Sequence, residues 1–347
     1  MNDSYHLQFE KLCEKLGLGE LTTTPKPISG GLLHRVFAIK TTTGRYAVKA
    51  LNPKIMARPA ALNNYIEAER VVSILSKRIS AQPANVYGDT FLQEIDHQFY
   101  MVFDWIEGRS LKPFEITDVH CRKVGFILAE IHQTKFAQVD SIRRTRNDEN
   151  QIPWKFYLHK GIAEGAVWAN HLSNRIEQLS FWTEQINRSV MLLEDEQVFS
   201  HRDLEPKNVM WVQDNPIVID WESAGEINPK HDLIETAIYW SIDESGKVNK
   251  CKFDAFLSGY QQLYGDLEAD WKTVLVLGYS SKLNWLEYSL KRSLWIECTD
   301  AIEQEMGTVQ VMHTLNALEE YQNMTIMLES WLHDKNEDKH GDEKFIE

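Results

Sequence analysis

One short hairpin interrupts a long helical stretch of this chain and carries an acid at each end. The segment is SHRDLEPKNVMWVQDNPIVIDW, residues 200–221 of 347. Its two apolar runs, NVMWV and PIVID, are joined by QDN and a proline, the pattern of two strands and a turn. Before it, VHCRKVGFILAEIHQTKF places Val124, Ile127, Leu128 and Ile131 on one helical side, and residues 141–199 are mainly helical in pattern. After it, DLIETAIYW, FDAFLSGYQQLYG, NWLEYSLKRSLWIE and QVMHTLNALEEYQNMTIMLESWL all read as helices. The polar tail HDKNEDKHGDEKFIE is expected to fray.

The beginning of the chain differs. Residues 6–16 read as a short amphipathic helix ending near Gly17, and TTTPKPISGG reads as a break. LHRVFAIK and RYAVKALN, split by TTTG, predict a hairpin. A helix is expected from about Ala60, with Ile66, Val71, Ile74 and Leu75 apolar. NVYGDTFLQEIDHQFYMVFDWIEG then gives two or three more strands. The expected fold class is α+β and bilobal. A small β-rich lobe at residues 1–103 is joined by a connector at 104–108 to a larger helical lobe at 109–347. That layout predicts a cleft suited to a small molecule.

Two carboxylates and an amide mark the hairpin. Asn208 opens its first strand and Asp220 ends its second, so the two outer ends can share one divalent cation through hard oxygen ligands. Asp203, on the preceding loop, would face whatever lies beyond the metal. Any one of these residues alone reads as a polar cap on a turn. The ordered set H-R-D-x-x-x-x-N, then strand, turn, strand and I-D-W, suits phosphoryl transfer and has the spacing of the protein-kinase catalytic loop.

Such a site needs cations. A strand lysine is ordinarily solvated, but Lys49 is flanked at the two-residue period by Ala47 and Leu51, a costly position unless its charge is matched. Glu67 and Glu69 on the following helix are candidates to match it, and only one of them should face the strand. Ser29, Gly30 and Gly31, in PISGGLLHR, form a candidate phosphate cover, because paired glycines let backbone N–H groups approach phosphate oxygens. The segment is not a P-loop, and an ordinary tight turn has the same look. In MVFDWIEG, the Asp104 carbonyl and the Ile106 N–H could bind a purine, from either ATP or GTP.

Composition narrows the partners. Asp plus Glu outnumber Lys plus Arg by 51 to 37, a formal net charge of −14, which argues against a nucleic-acid backbone. Four scattered cysteines with no CxxC fit a reducing compartment. MNDSYHLQFEKLCEKLG has no apolar signal-peptide core, and no run approaches a membrane span. The expectation is a cytoplasmic protein with no membrane partner.

Taken in order, ISGGLLHRVFAIKTTTGRYAVK, YIEAERVVSIL, MVFDWIEGRSL, VGFILAEIHQT, SHRDLEPKNVMW and IVIDWESAGEINPKHDL resemble the aminoglycoside phosphotransferase and choline kinase superfamily across about residues 28–235. The resemblance implies a protein-kinase-like fold and Mg2+-dependent transfer of a nucleotide γ-phosphoryl group to a small-molecule hydroxyl. It implies Asp203 as the catalytic aspartate, Asn208 and Asp220 as magnesium ligands, and Lys49 on the α/β-phosphates, braced by Glu67 or Glu69. His201 would support the loop, Asp232 would be structural, and His132 would be a packed helix histidine. Two positions depart from the family pattern. Arg202 stands where glycine is usual, and Glu205 where a neutral residue or histidine is common. D-F-G and A-P-E are absent, so a small acceptor is expected rather than a protein. Acidic helices favour a polycationic aminoglycoside-like acceptor. The tryptophans, Trp154, Trp168, Trp221, Trp240 and Trp285 among them, keep choline or ethanolamine in view, although each reads individually as core. Homoserine and sugars are further alternatives, and a nucleotide-binding scaffold without turnover is the non-enzyme one.

Overall fold

The computed structural model describes residues 4–28, 33–136 and 152–342, with side chains to residue 333. The expectation for Ser29, Gly30 and Gly31 lies outside the described residues. The first helix, α1 (Phe9–Leu16), stops at Gly17, whose φ of 67° is the left-handed conformation that caps a helix C-terminus. Then follow β1 (Lys26–Ile28), β2 (Arg35–Lys40), β3 (Arg45–Ala50), the short α2 (Pro53–Met56), α3 (Ala61–Leu75), β4 (Gln93–Ile95) and β5 (Gln98–Asp104). The five strands form one antiparallel sheet in the order β1-β2-β3-β5-β4. The sequence marks residues 22–31 as a break, yet Lys26–Ile28 pairs along β2. Pro27 is tolerated there because an edge strand has one side on which a missing N–H loses no ladder bond.

The two-residue period assigns each strand residue a face. Phe37, Ile39, Val48, Tyr100 and Val102 pack with Phe9, Leu12 and Cys13 of α1 in one core cluster. The other face carries Val36, Ala47, Lys49, Met101 and Phe103. Register sets Lys49 opposite both Val36 and Met101, and Ala47 opposite Phe103.

Beyond β5 come α4 (Asp118–His132), α5 (Trp154–Ala163), α6 (Ala169–Ser173) and α7 (Ile176–Leu192). The predicted hairpin is β7 (Val209–Val212) with β8 (Asn215–Val218). It lies between two short paired strands, β6 (Val198–Ser200) and β9 (Gly225–Ile227). The chain closes with α8 (Pro229–Ser241), α9 (Lys250–Tyr264), α10 (Trp271–Leu277), α11 (Tyr279–Ser293) and α12 (Ala301–Asp342). The fold is α+β, β-rich first and helical after. α12 continues to Asp342, into the tail expected to fray, because extending an existing helix is far easier than nucleating one. Among the described residues no helix is long and apolar enough to cross a membrane.

The chain divides into two compact units. One holds Met1–Thr134, Phe199–Glu226 and Thr236–Leu263; the other holds Lys135–Val198, Ile227–Glu235 and Tyr264–Glu347. Lys49 and the whole segment from His201 to Glu222 belong to the first. Within that unit α4 and α9 cross with their backbones in contact. A Cβ on Gly125 would lie 2.1 Å from the Phe256 carbonyl oxygen, and one on Gly259 2.0 Å from that of Arg122. The buried Trp240 of α8 donates from Nε1 to the Leu204 carbonyl at 2.8 Å, which ties the loop after Asp203 to the helical layer.

Candidate active site

The loop before the hairpin is held from beneath. His201 is fully buried; its Nε2 lies 2.9 Å from the Ile219 carbonyl, and its Nδ1 is 3.2 Å from the Asp203 backbone N–H. A carbonyl only accepts and an N–H only donates, so the proton sits on Nε2 and His201 bridges the loop to the end of β8. His132 is also buried, packed between the Tyr260 hydroxyl and Ser200 Oγ just before this loop. Arg202 adopts φ 63°, which explains why glycine suits that position: a residue with a Cβ is strained there.

Asn208 closes the turn Pro206–Asn208 and is buried. Its Nδ2 donates to the Asp203 carbonyl at 2.8 Å and to Asp203 Oδ2 at 2.9 Å, while its own carbonyl takes the Ile219 N–H at 2.9 Å. The ladder therefore brings Asn208 opposite Ile219, one residue before Asp220. Asp220 itself is left-handed, with φ 63° and ψ 61°, and starts the turn Trp221–Ser223. Burial raises the Asp203 carboxyl to about 8, Glu205 adds to this, and Lys207 opposes it. The Lys207 ammonium lies 3.2 Å from Glu205 and 3.8 Å from Asp203.

Lys49 is buried, and its ammonium contacts Asp220 Oδ1 at 2.5 Å and also Glu222 Oε2. Burial disfavours its charge, but these two carboxylates outweigh burial and hold Lys49 above its ordinary value. The ammonium pairs here with Asp220 and Glu222 rather than with Glu67 or Glu69, the α3 acids expected to brace it. Glu69 is buried but accepts from the Ala84 N–H at 2.9 Å, and Glu67 keeps its Oε2 buried with no hydrogen-bond partner. The reason is reach: two acids on the 220–222 turn converge on the ammonium, while Glu69 is drawn to a backbone donor. Burial raises Glu69 to about 7 despite that bond and the nearby Lys49.

Nothing in the sequence marks Glu222 beyond its being an acid two residues after Asp220. Burial, then Asp220, raises it to about 7. His34 was also missed. It is buried and held neutral, well below its ordinary value, by burial and then by Lys49. Its Nδ1 accepts from the Asn52 N–H at 2.8 Å, so Nε2 carries the proton facing the Tyr65 hydroxyl and Glu222.

Lys49, Glu69, Asp220 and Glu222 line a pocket. Its roof is the sheet face of Val36, Ala47, Met101 and Phe103; α3 contributes Tyr65 and Ala68, and Ile219 lies opposite. Asp104, exposed, ends β5, and the half-buried Ile106 follows in the connector. The Asp104 carbonyl accepts from Gln82 Nε2 at 2.7 Å, and its side chain from Asn85 Nδ2 at 2.9 Å.

The donor chemistry suits magnesium. Among the described residues no three His, Cys, Asp or Glu side chains gather as a metal centre. Asn208, however, turns its nitrogen to Asp203, which leaves Oδ1 as the atom it could offer a cation, and Asp220 has a second oxygen besides the one on Lys49. Both are hard oxygen donors. Four carboxylates, Asp203, Glu205, Asp220 and Glu222, share Lys49 and Lys207, and crowding with burial holds two of them, Asp203 and Glu222, above the ordinary carboxylate range, a cost that a divalent cation would relieve.

A β-sheet carrying a paired lysine, followed by a loop, hairpin and acidic turn within a helical region, is the order of a protein-kinase-like fold. The phosphotransferase enzyme family profile matches residues 24–274, and the chain belongs to that family. No curated protein matches the sequence. Among solved structures, spectinomycin phosphotransferase APH(9)-Ia, in complex with ADP and spectinomycin, is 11% identical with a TM-score of 0.67, over 92% of this chain and 99% of that one. An ethanolamine kinase of Plasmodium vivax is 15% identical with a TM-score of 0.57, over 84% and 81%. A microcompartment-associated aminopropanol kinase is 11% identical with a TM-score of 0.60, over 92% and 98%. At these identities the likeness is one of fold.

Proposed function

We propose that the protein transfers the γ-phosphoryl group of ATP or GTP, with Mg2+, to a hydroxyl of a small cationic acceptor. The observation that carries this reading is the bond from Asn208 Nδ2 to Asp203 Oδ2, which couples the candidate base to the candidate metal side of the site. Asp203 orients the acceptor hydroxyl and takes its proton. The hydroxyl oxygen forms the new bond to phosphorus, and the bond to the β–γ bridging oxygen breaks. Asn208 Oδ1 and Asp220 would hold magnesium, which when bound would supply charge compensation on the phosphate oxygens. Lys49 binds the α/β-phosphates, reached from its contacts with Asp220 and Glu222. The sheet pocket takes the base, with Asp104 and Ile106 at its rim. Glu205 beside Asp203, and the net charge of −14, support an acceptor bearing ammonium groups.

The test is an acceptor panel of aminoglycosides, choline, ethanolamine, aminopropanol, homoserine and neutral sugars, with each nucleotide and magnesium. A product heavier by one phosphoryl group identifies the acceptor. Asp203→Asn should cut turnover at least about 100-fold while nucleotide binding persists. Equal turnover in variant and parent would remove Asp203 from the mechanism.

A further inference from the structure

We infer that Gln82 selects the purine of the phosphoryl donor, its side-chain amide oxygen accepting the 6-amino group of adenine and disfavouring the 6-oxo group of guanine. The inference rests on the reading above, in which the base enters the sheet pocket. Gln82 lines that pocket, as do the apolar Met101, Phe103 and Ile219 and the charged Lys49, Glu69, Asp220 and Glu222. Its orientation is not free. Nε2 donates to the Asp104 carbonyl at 2.7 Å, and that carbonyl can only accept. A flipped amide would set oxygen against oxygen. Oε1 is therefore fixed as the end that faces away from Asp104.

The backbone holds the residue as firmly as the side chain. The Gln82 N–H donates to the Val218 carbonyl at 2.9 Å, and the Val218 N–H donates to the Ser80 carbonyl at 2.8 Å. Ala81 and Val218 form a parallel bridge, and Pro83 restricts the chain immediately after Gln82. Little conformational freedom remains for the amide to lose on binding.

The rim thus presents two neighbouring acceptors, Gln82 Oε1 and the second lone pair of the Asp104 carbonyl. An exocyclic amino group has two hydrogens to give them. A 6-oxo group brings a third acceptor into the same place, and the three acceptors face one another with no hydrogen to share.

Inosine triphosphate isolates the contact, because it replaces the adenine 6-amino group by an oxo group and lacks the guanine 2-amino group. Binding of ATP, inosine triphosphate and GTP, each with magnesium and without acceptor, is measured by calorimetry on the parent, Gln82→Met and Gln82→Ala. Urea unfolding confirms that each variant is folded. The parent should bind ATP at least about tenfold more tightly than inosine triphosphate. In both variants that ratio should fall about tenfold, through weaker ATP binding. Equal binding of the two nucleotides by the parent, or an unchanged ratio in a folded variant, overturns the inference and leaves the donor site standing. A parent that binds none of the three overturns the donor-site reading and this inference with it.

Discussion

Two residues of the site sit in backbone conformations that favour glycine: Arg202 at φ 63° and Asp220 at φ 63°. Each is strained on the order of 1 kcal/mol or more, and each is fixed by its neighbours, Arg202 by the bonds of His201 and Asp220 by the end of the hairpin. Glu69 carries a different cost. Its folded-state carboxyl is raised from 4.5 to about 7 by burial. The folded protein therefore binds the proton more tightly than the unfolded chain does, and stability falls as pH rises from about 4.5 to about 7. Glu69→Gln keeps an oxygen for the Ala84 N–H and removes the titration. Urea midpoints should show the variant gaining about 2 kcal/mol on the parent between about pH 5 and about pH 8. An advantage that does not change with pH would show that Glu69 does not carry this cost.

At the scale of elements, the loop-hairpin-turn unit works because short-range geometry does most of the assembly. Pairing of Val209 with Val218 sets Asn208 beside Ile219 and Asp220 just beyond, and the NVMWV and PIVID pattern made this legible. What the pattern left out is how the unit is held. α4 and α9 meet backbone to backbone at Gly125 and Gly259, and the unit is tied to α8 through Trp240 and Leu204. Gly259→Ala should cost about 1–3 kcal/mol, read as a lower urea midpoint, because the added methyl meets a carbonyl that neither helix can move alone. Parent-like stability would mean that the crossing relaxes easily.

At the scale of the whole molecule, the proposed site links folding to magnesium-nucleotide binding. A ligand at about 100 times its dissociation constant should add about 2.7 kcal/mol to stability, seen as a rise in melting temperature that requires nucleotide and magnesium together. Asp220→Ala should remove the magnesium-dependent part. A rise that survives the substitution would take Asp220 out of the metal site. The sequence by itself determined the order of elements, the hairpin and the positions of Asp203, Asn208 and Asp220, since periodicity and fixed spacings are properties of neighbouring residues. It marked Lys49 as a buried charge in need of a partner, and it offered the partners nearest along the chain. The tertiary structure instead joined Lys49 to Asp220, 171 positions away, and to Glu222, and turned Glu69 to Ala84. It also placed Gln82 beneath the Asp104 carbonyl. A buried charge or amide is satisfied by whichever group packing brings within about 3 Å, and that choice is made between segments no local pattern connects.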